Sequence, residues 1–191
     1  MGMAATPSKM MDLGTRAPPF ALADVLTGQK ISLEDFRDKK GLLVMFVCKH
    51  CPYVTHVKQA LIDLAKDYAD RSVGIVSISS NDARAYPEDA PERLATMAAE
   101  LTFPLLYDET QAVAKAYQAA CTPDFFLFDA GRLLVYRGQF DDSRPGNNRP
   151  VTGRDLRSAI EAVLAGTPVN PNQRASIGCN IKWKPGNEPD Y

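Results

Sequence analysis

Apolar and polar positions fall into blocks along this chain, and the spacing within each block separates strands from helices. Leu42 to Val47 is an unbroken apolar run, the pattern of a central strand covered on both faces. Val73 to Ser79 reads the same way. Between them, from Pro52 to Asp70, apolar residues recur at intervals of three and four: Val54, Val57, Leu61, Leu64 and Tyr68. That spacing predicts a helix with one buried stripe. Pro52 falls in its first turn, where no intrahelical donor is lost. Leu94, Met97, Ala98 and Leu101 predict a second helix, with Asp89 as its cap and Pro91 near its start. Leu105 to Tyr107 predicts a short strand, and Thr110 to Ala120 a further helical segment.

The ends of the chain follow different rules. Phe20 to Asp24 and Lys30 to Leu33 are short strand-like pieces joined across Thr27-Gly28, which predicts a hairpin. Asp124 to Phe128 and Leu133 to Arg137 are separated by only four residues, so they too must pair antiparallel. Thr152 and Asp155 resemble a capping box for a final helix lined by Leu156, Ile160, Val163 and Leu164, and Gly166 and Pro168 end it. The order ββ-β-α-β-α-β-α-ββ-α implies an α/β fold. Its central mixed sheet has a parallel centre and an antiparallel edge, with helices on both faces. Residues 1–16 read as a loose arm, 17–166 as one domain, and 167–191 as an extended tail. The tail holds four of the 14 prolines and little periodicity, with one exception. Ser176 to Trp183 looks built to pack, and Trp183 buries a large area if docked.

Composition narrows the function classes. The chain is 45% hydrophobic and 24% charged, which is globular, and its net charge of −1 gives no reason to expect nucleic acid or an anionic membrane as partner. No apolar run is long enough for a membrane span. Met1 to Leu13 lacks an apolar signal core, so a cytoplasmic protein is expected. The cysteines are Cys48, Cys51, Cys121 and Cys179. Few cysteines with one close pair favour catalysis or metal binding over structural bridging.

The close pair carries the chemistry. Cys48-Lys49-His50-Cys51 lies at the junction of a predicted strand and a predicted helix, and a helix N-terminus stabilises a thiolate through its unpaired N–H groups. Strand, Cys-x-x-Cys, helix, and then Thr122-Pro123 before a hairpin resemble the thioredoxin superfamily. The likeness is greatest to its redoxin branch of peroxiredoxins and thioredoxin-like thiol oxidoreductases. Ala17-Pro18-Pro19-Phe20-Ala21-Leu22 is similar to that branch's N-terminal entry, and Thr122 to Gly131 to its proline-strand-turn segment. The resemblance implies a thioredoxin-like three-layer fold with an N-terminal β-hairpin extension, and thiol-disulfide oxidoreductase activity. Val47 stands where thioredoxins carry Trp, and the Pro and Thr that precede a peroxiredoxin nucleophile are absent around Cys48.

On this reading Cys48 is the nucleophile and Cys51 the resolving thiol. A protonated His50 stabilises the thiolate and makes the centre more oxidising than thioredoxin's. The resemblance implies a cis Pro123 facing the dithiol, with the Thr122 backbone free to pair with an extended substrate. Cys121 and Cys179 are possible additional redox thiols: Cys121 as a neighbour of that turn, Cys179 through a tail folded over the redox face. His56, beside Gln59 and Asp63, is expected on a solvated face. The expected partners are protein or small-molecule thiols and disulfides, with an unspecified reductant and no cofactor. Two rival functions remain open. One is a thiol-dependent peroxidase. The other is a copper or zinc protein drawing on Cys48, His50, Cys51 and Cys121.

Overall fold

The computed structural model describes residues 5–191. In chain order its elements are β1 (Ala5–Pro7), β2 (Ala21–Asp24), β3 (Lys30–Ser32), β4 (Gly41–Phe46), α1 (Pro52–Asp67), β5 (Val73–Ser79), α2 (Pro91–Ala98), β6 (Leu105–Tyr107), α3 (Ala112–Ala116), β7 (Cys121–Thr122), β8 (Asp124–Phe128), β9 (Leu134–Gly138), α4 (Arg154–Ala165) and β10 (Ile177–Asn180). Seven strands form one mixed sheet in the order β3-β2-β6-β5-β4-β8-β9. The centre, β4 with β5 and β5 with β6, is parallel. Antiparallel pairs extend it on both sides: β8 and β9 beyond β4, and the β2–β3 hairpin beyond β6.

The continuous apolar run of β4 is explained by its place in the sheet. Every residue from Gly41 to Phe46 is buried, because each face is covered. Leu43 and Met45 join a core with the inward stripes of α1, α2 and α4, including Val54, Leu64, Leu94 and Ile160. Leu42, Val44 and Phe46 point the other way, into a second core with Ala114, Tyr117, Phe126 and Phe128. There Tyr117 meets Phe126 and Phe128 edge-on, at centroid separations of 5.7 and 5.9 Å. Burying each of these large side chains contributes about 1.5–3 kcal/mol. The stiffest part of the molecule therefore lies directly beneath the Cys-x-x-Cys segment.

Several expected elements shift. The helical segment Thr110 to Ala120 shortens to α3, five residues long, because Gln111 is held in the left-handed region at φ 63°. Asp89 does not cap α2: Ala90 is the residue before the helix, and Asp89 is drawn into the site described below. Gly153, at φ 65°, precedes α4 in place of a Thr152 capping box, although the Thr152 hydroxyl still accepts the Arg154 N–H at 3.2 Å. The Asp155 carboxylate takes the Gln139 amide instead, at 2.6 Å.

The largest corrections concern the ends. In the expected loose arm, Ala5–Pro7 is strand β1; residues 1–4 of that arm lie outside the described residues. The expected tail contributes β10, which lies between β1 and β7 in a separate three-stranded sheet. Beyond β10, Trp183 is half-buried against the second core, and the Tyr191 hydroxyl donates to the Ala119 carbonyl at 3.1 Å.

Candidate active site

The apolar run of β4 ends at Phe46, and Val47 continues its direction by donating to the Ile78 carbonyl at 2.9 Å. The chain then turns through Cys48-Lys49-His50, and α1 begins at Pro52. The position just before that helix is held by Cys51, not Cys48. Pro has no N–H to offer, and the Cys51 side chain makes no capping hydrogen bond to the helix; its carbonyl accepts the Thr55 N–H at 3.0 Å.

The two sulfurs sit in different surroundings. Their interaction with each other is the largest influence on both, lowering the Cys51 pKa to about 5 and pushing the Cys48 thiol far up. Burial opposes the drop at Cys51, while Cys179 and Thr122 add to it. Burial and the nearby Asp89 charge add to the rise at Cys48. The pairing favours a single negative charge on the dithiol, inclined toward Cys51. Both sulfurs are enclosed, Cys48 at 1% and Cys51 at 0% exposure.

Thr122 and Pro123 close the site from across the sheet. Their peptide bond is cis. The Thr122 hydroxyl lies 3.2 Å from the Cys48 sulfur, and its carbonyl lies 3.1 Å from the Cys51 sulfur. The Thr122 backbone does not wait free for a substrate: it pairs with Cys179 of β10. Cys179 brings its sulfur to 3.0 Å from that of Cys51. Burial pushes its pKa up to about 12, with Cys51 adding to the effect.

His50 is organised by residues that no local pattern marks. Its Nδ1 pairs with the Asp89 carboxylate at 2.6 Å, and its ring stacks on Tyr86 at 5.5 Å and 5°. The Asp89 pairing holds the imidazole above its usual pKa, against burial. Asp89 is itself fully buried, yet is held below the ordinary carboxylate range. Burial alone would raise it, but His50, the Asn81 amide at 2.8 Å and the Lys49 backbone N–H at 2.8 Å together outweigh that cost. The Lys49 side chain pairs with Glu88 at 3.2 Å. Asp89, Asn81 and Tyr86 were missed because they lie 30 to 40 residues from the dithiol, and only the packing of the segment after β5 brings them in.

The remaining candidates separate. Cys121 is fully buried with its sulfur 3.7 Å from the Pro123 carbonyl, and burial pushes its pKa well up, so it is an inert core thiol. Among the described residues, the group that could hold a metal ion is Cys48, His50 and Asp89, whose ligand atoms lie within 4.8 Å of one another. That differs from the expected set with Cys51 and Cys121, and both Asp89 oxygens already accept hydrogen bonds. His56 is half-buried near Pro123 and Ile177, not on an open face.

Comparison with known proteins places the chain in a family of thiol-dependent oxidoreductases. Residues 13–137 match the model of the AhpC/TSA family. A Mycobacterium tuberculosis (strain H37Rv) protein named as a peroxiredoxin is 31% identical over 137 residues, 64% of this chain and 82% of that one. The thiol-disulfide oxidoreductase ResA of Geobacillus kaustophilus is 29% identical over 117 residues, 61% of this chain and 63% of that one. A crystal structure of an uncharacterized conserved protein from Geobacillus kaustophilus superimposes with TM-score 0.94 at 54% identity, covering 97% of this chain and 99% of that one. A thiol:disulfide interchange protein structure from Chlorobium tepidum shares the fold at TM-score 0.63 and 19% identity, covering 80% of this chain and 98% of that one.

Proposed function

The chain belongs to the AhpC/TSA family and is a thiol-dependent oxidoreductase with a thioredoxin-like fold; on that premise we propose that it exchanges its Cys48-Lys49-His50-Cys51 dithiol with the disulfides of proteins or small molecules. The observation that carries this reading is the pair of thiols at the start of α1, each within 3.2 Å of Thr122 and facing the cis Thr122-Pro123 turn. The Cys51 thiolate attacks one sulfur of a substrate disulfide, forms a mixed disulfide and expels the other half as a thiolate, which takes a proton from solvent. A neighbouring thiol then attacks the Cys51 sulfur. It loses its proton, closes an internal disulfide and releases the second half of the substrate reduced. The positive His50, fixed by Asp89, favours the thiolate and hence the reduced protein. We assign this work to the cytoplasm, where thiols are kept reduced.

The test is mass-mapping of mixed disulfides trapped in Cys48→Ser and in Cys51→Ser protein, which names both the attacking sulfur and the partner. Adducts on Cys51 in the first variant and none on Cys48 in the second support the reading. Failure of both sulfurs to exchange rejects it.

A second reading, a thiol-dependent peroxidase, is favoured by one observation: the Cys51 sulfur sits immediately before Pro52 at the helix start, with the Cys179 sulfur 3.0 Å away. A thiolate so placed can cleave a peroxide O–O bond, take one oxygen as a sulfenic acid, and condense with a neighbouring thiol to release water. Rapid peroxide consumption that requires Cys51 distinguishes this reading from disulfide exchange.

A further inference from the structure

We propose that Cys179 is a third catalytic thiol, carried to the dithiol on a strand of the same chain, and that it resolves disulfides formed on Cys51. This rests on the reading of Cys51 as the attacking sulfur.

The contact is direct. Cys51 and Cys179 are 128 residues apart in sequence, and their sulfurs lie 3.0 Å apart. A disulfide bond is about 2.05 Å long, so bonding needs a movement of only about 1 Å. The strand that carries Cys179 is fitted to the place. In its register Cys179 faces Thr122 on one side and Ala5 on the other. A Cβ on Gly178 would lie 1.9 Å from the Thr122 carbonyl oxygen, so only glycine allows this approach directly before the cysteine. On either side of β10 the chain is fastened by buried polar contacts. The Ser176 hydroxyl donates to the Gly138 carbonyl at 2.6 Å, and the Ile181 N–H donates to the Ala120 carbonyl at 3.1 Å. The Lys182 N–H donates to Asn81 at 2.8 Å, the same Asn81 that holds Asp89. The edge on which an extended substrate would pair is thus occupied by the chain's own strand, which presents a thiol where a substrate would present its disulfide.

The resulting step balances. After Cys51 has formed a mixed disulfide with one half of the substrate, Cys179 attacks the Cys51 sulfur. The Cys179 proton is lost, the Cys51–Cys179 bond forms, and the bound half leaves as a thiolate that takes up a proton. Cys48 can then attack Cys51 in turn, which yields Cys48–Cys51 and restores the Cys179 thiol. No oxidant beyond the substrate disulfide is consumed.

The experiment uses full-length Cys48→Ser protein and bis(2-hydroxyethyl) disulfide, followed by the mass of the intact protein and of its non-reduced peptides. The expected product is a Cys51–Cys179 bridge with no retained mercaptoethyl group, and Cys48→Ser/Cys179→Ser protein should retain one such group on Cys51. Cys48→Ala carries the same readout if the serine variant does not fold. A stable mercaptoethyl adduct on Cys51 in the single variant, or a bridge from Cys51 to Cys121, overturns the role of Cys179 and leaves thiol exchange standing. A Cys51 that reacts in neither variant overturns both.

Discussion

The ionisation of Cys51 depends on a handful of directed hydrogen bonds, since the site is closed to water. With a pKa held down to about 5, the thiolate should appear as pH rises through that value, and it should carry the attack rate with it. Ultraviolet absorbance of the thiolate against pH should show this midpoint in the wild-type protein and lose it in Cys51→Ser. In Cys48→Ala the midpoint should move upward, because the neighbouring thiol that favours the charge is gone. An unshifted midpoint in Cys48→Ala would assign the effect to the helix terminus alone. His50 acts on the same equilibrium. Its pKa is raised by Asp89, which shifts the imidazole toward its charged form and favours the reduced, ionised dithiol. The reduction potential should therefore lie above thioredoxin's value of about −270 mV. His50→Gln and Asp89→Asn should each lower it by tens of millivolts, about 30 mV corresponding to a tenfold change in the exchange constant. A redox titration against glutathione checks both.

At the level of elements, the site is a joint between one very stable unit and one small one. The β4–α1 unit is anchored by two cores, and Leu64, fully buried on α1, sits within one of them. Leu64→Ala should destabilise the protein by about 2–5 kcal/mol in urea unfolding without moving the thiols of the folded state. The β1–β10–β7 sheet is short and depends on one close approach. Gly178→Ala places a methyl group against the Thr122 carbonyl, so β10 must lift. Iodoacetamide should then label Cys179, which is 1% exposed in the wild-type protein, many times faster. Continued protection of Cys179 would show that the flanking contacts hold the strand without the glycine. These elements were unequally visible in the sequence. The bounds of β5 and of β8 follow from mostly apolar stretches with a polar residue at one end, Ser79 in β5 and Asp124 in β8, because a strand covered on both faces carries few polar positions. The end of α1 and the shortness of α3 do not follow, since tertiary contacts select among residues that all tolerate a helix.

Across the whole molecule, burial of charge is the main pH-sensitive feature. Asp124, next to the cis-proline, is fully buried, and burial pushes its pKa up to about 7, against a hydrogen bond from the Ala120 N–H. A carboxylate whose folded pKa exceeds its unfolded value of about 4 binds more protons when folded, so stability falls as pH rises from that value through about 7. Asp124→Asn should flatten this decline, seen as a smaller loss of the urea midpoint between mildly acidic and alkaline buffer. A decline of equal size in the variant would place its origin elsewhere. The chain's own pattern determined the α/β order, the parallel centre of the sheet, and a Cys-x-x-Cys segment at a strand–helix junction. The order and the Cys-x-x-Cys placement are set by neighbours within about a dozen residues, and the parallel centre follows from the helix that joins β4 to β5, a crossover too long for a hairpin. Only the tertiary structure decided that Asp89 serves His50 instead of a helix cap, and that a strand from the far end covers Thr122 with Cys179 in contact. Those outcomes depend on contacts between residues 30 to 128 positions apart, whose geometry is fixed by how the cores pack and leaves no periodic trace along the chain.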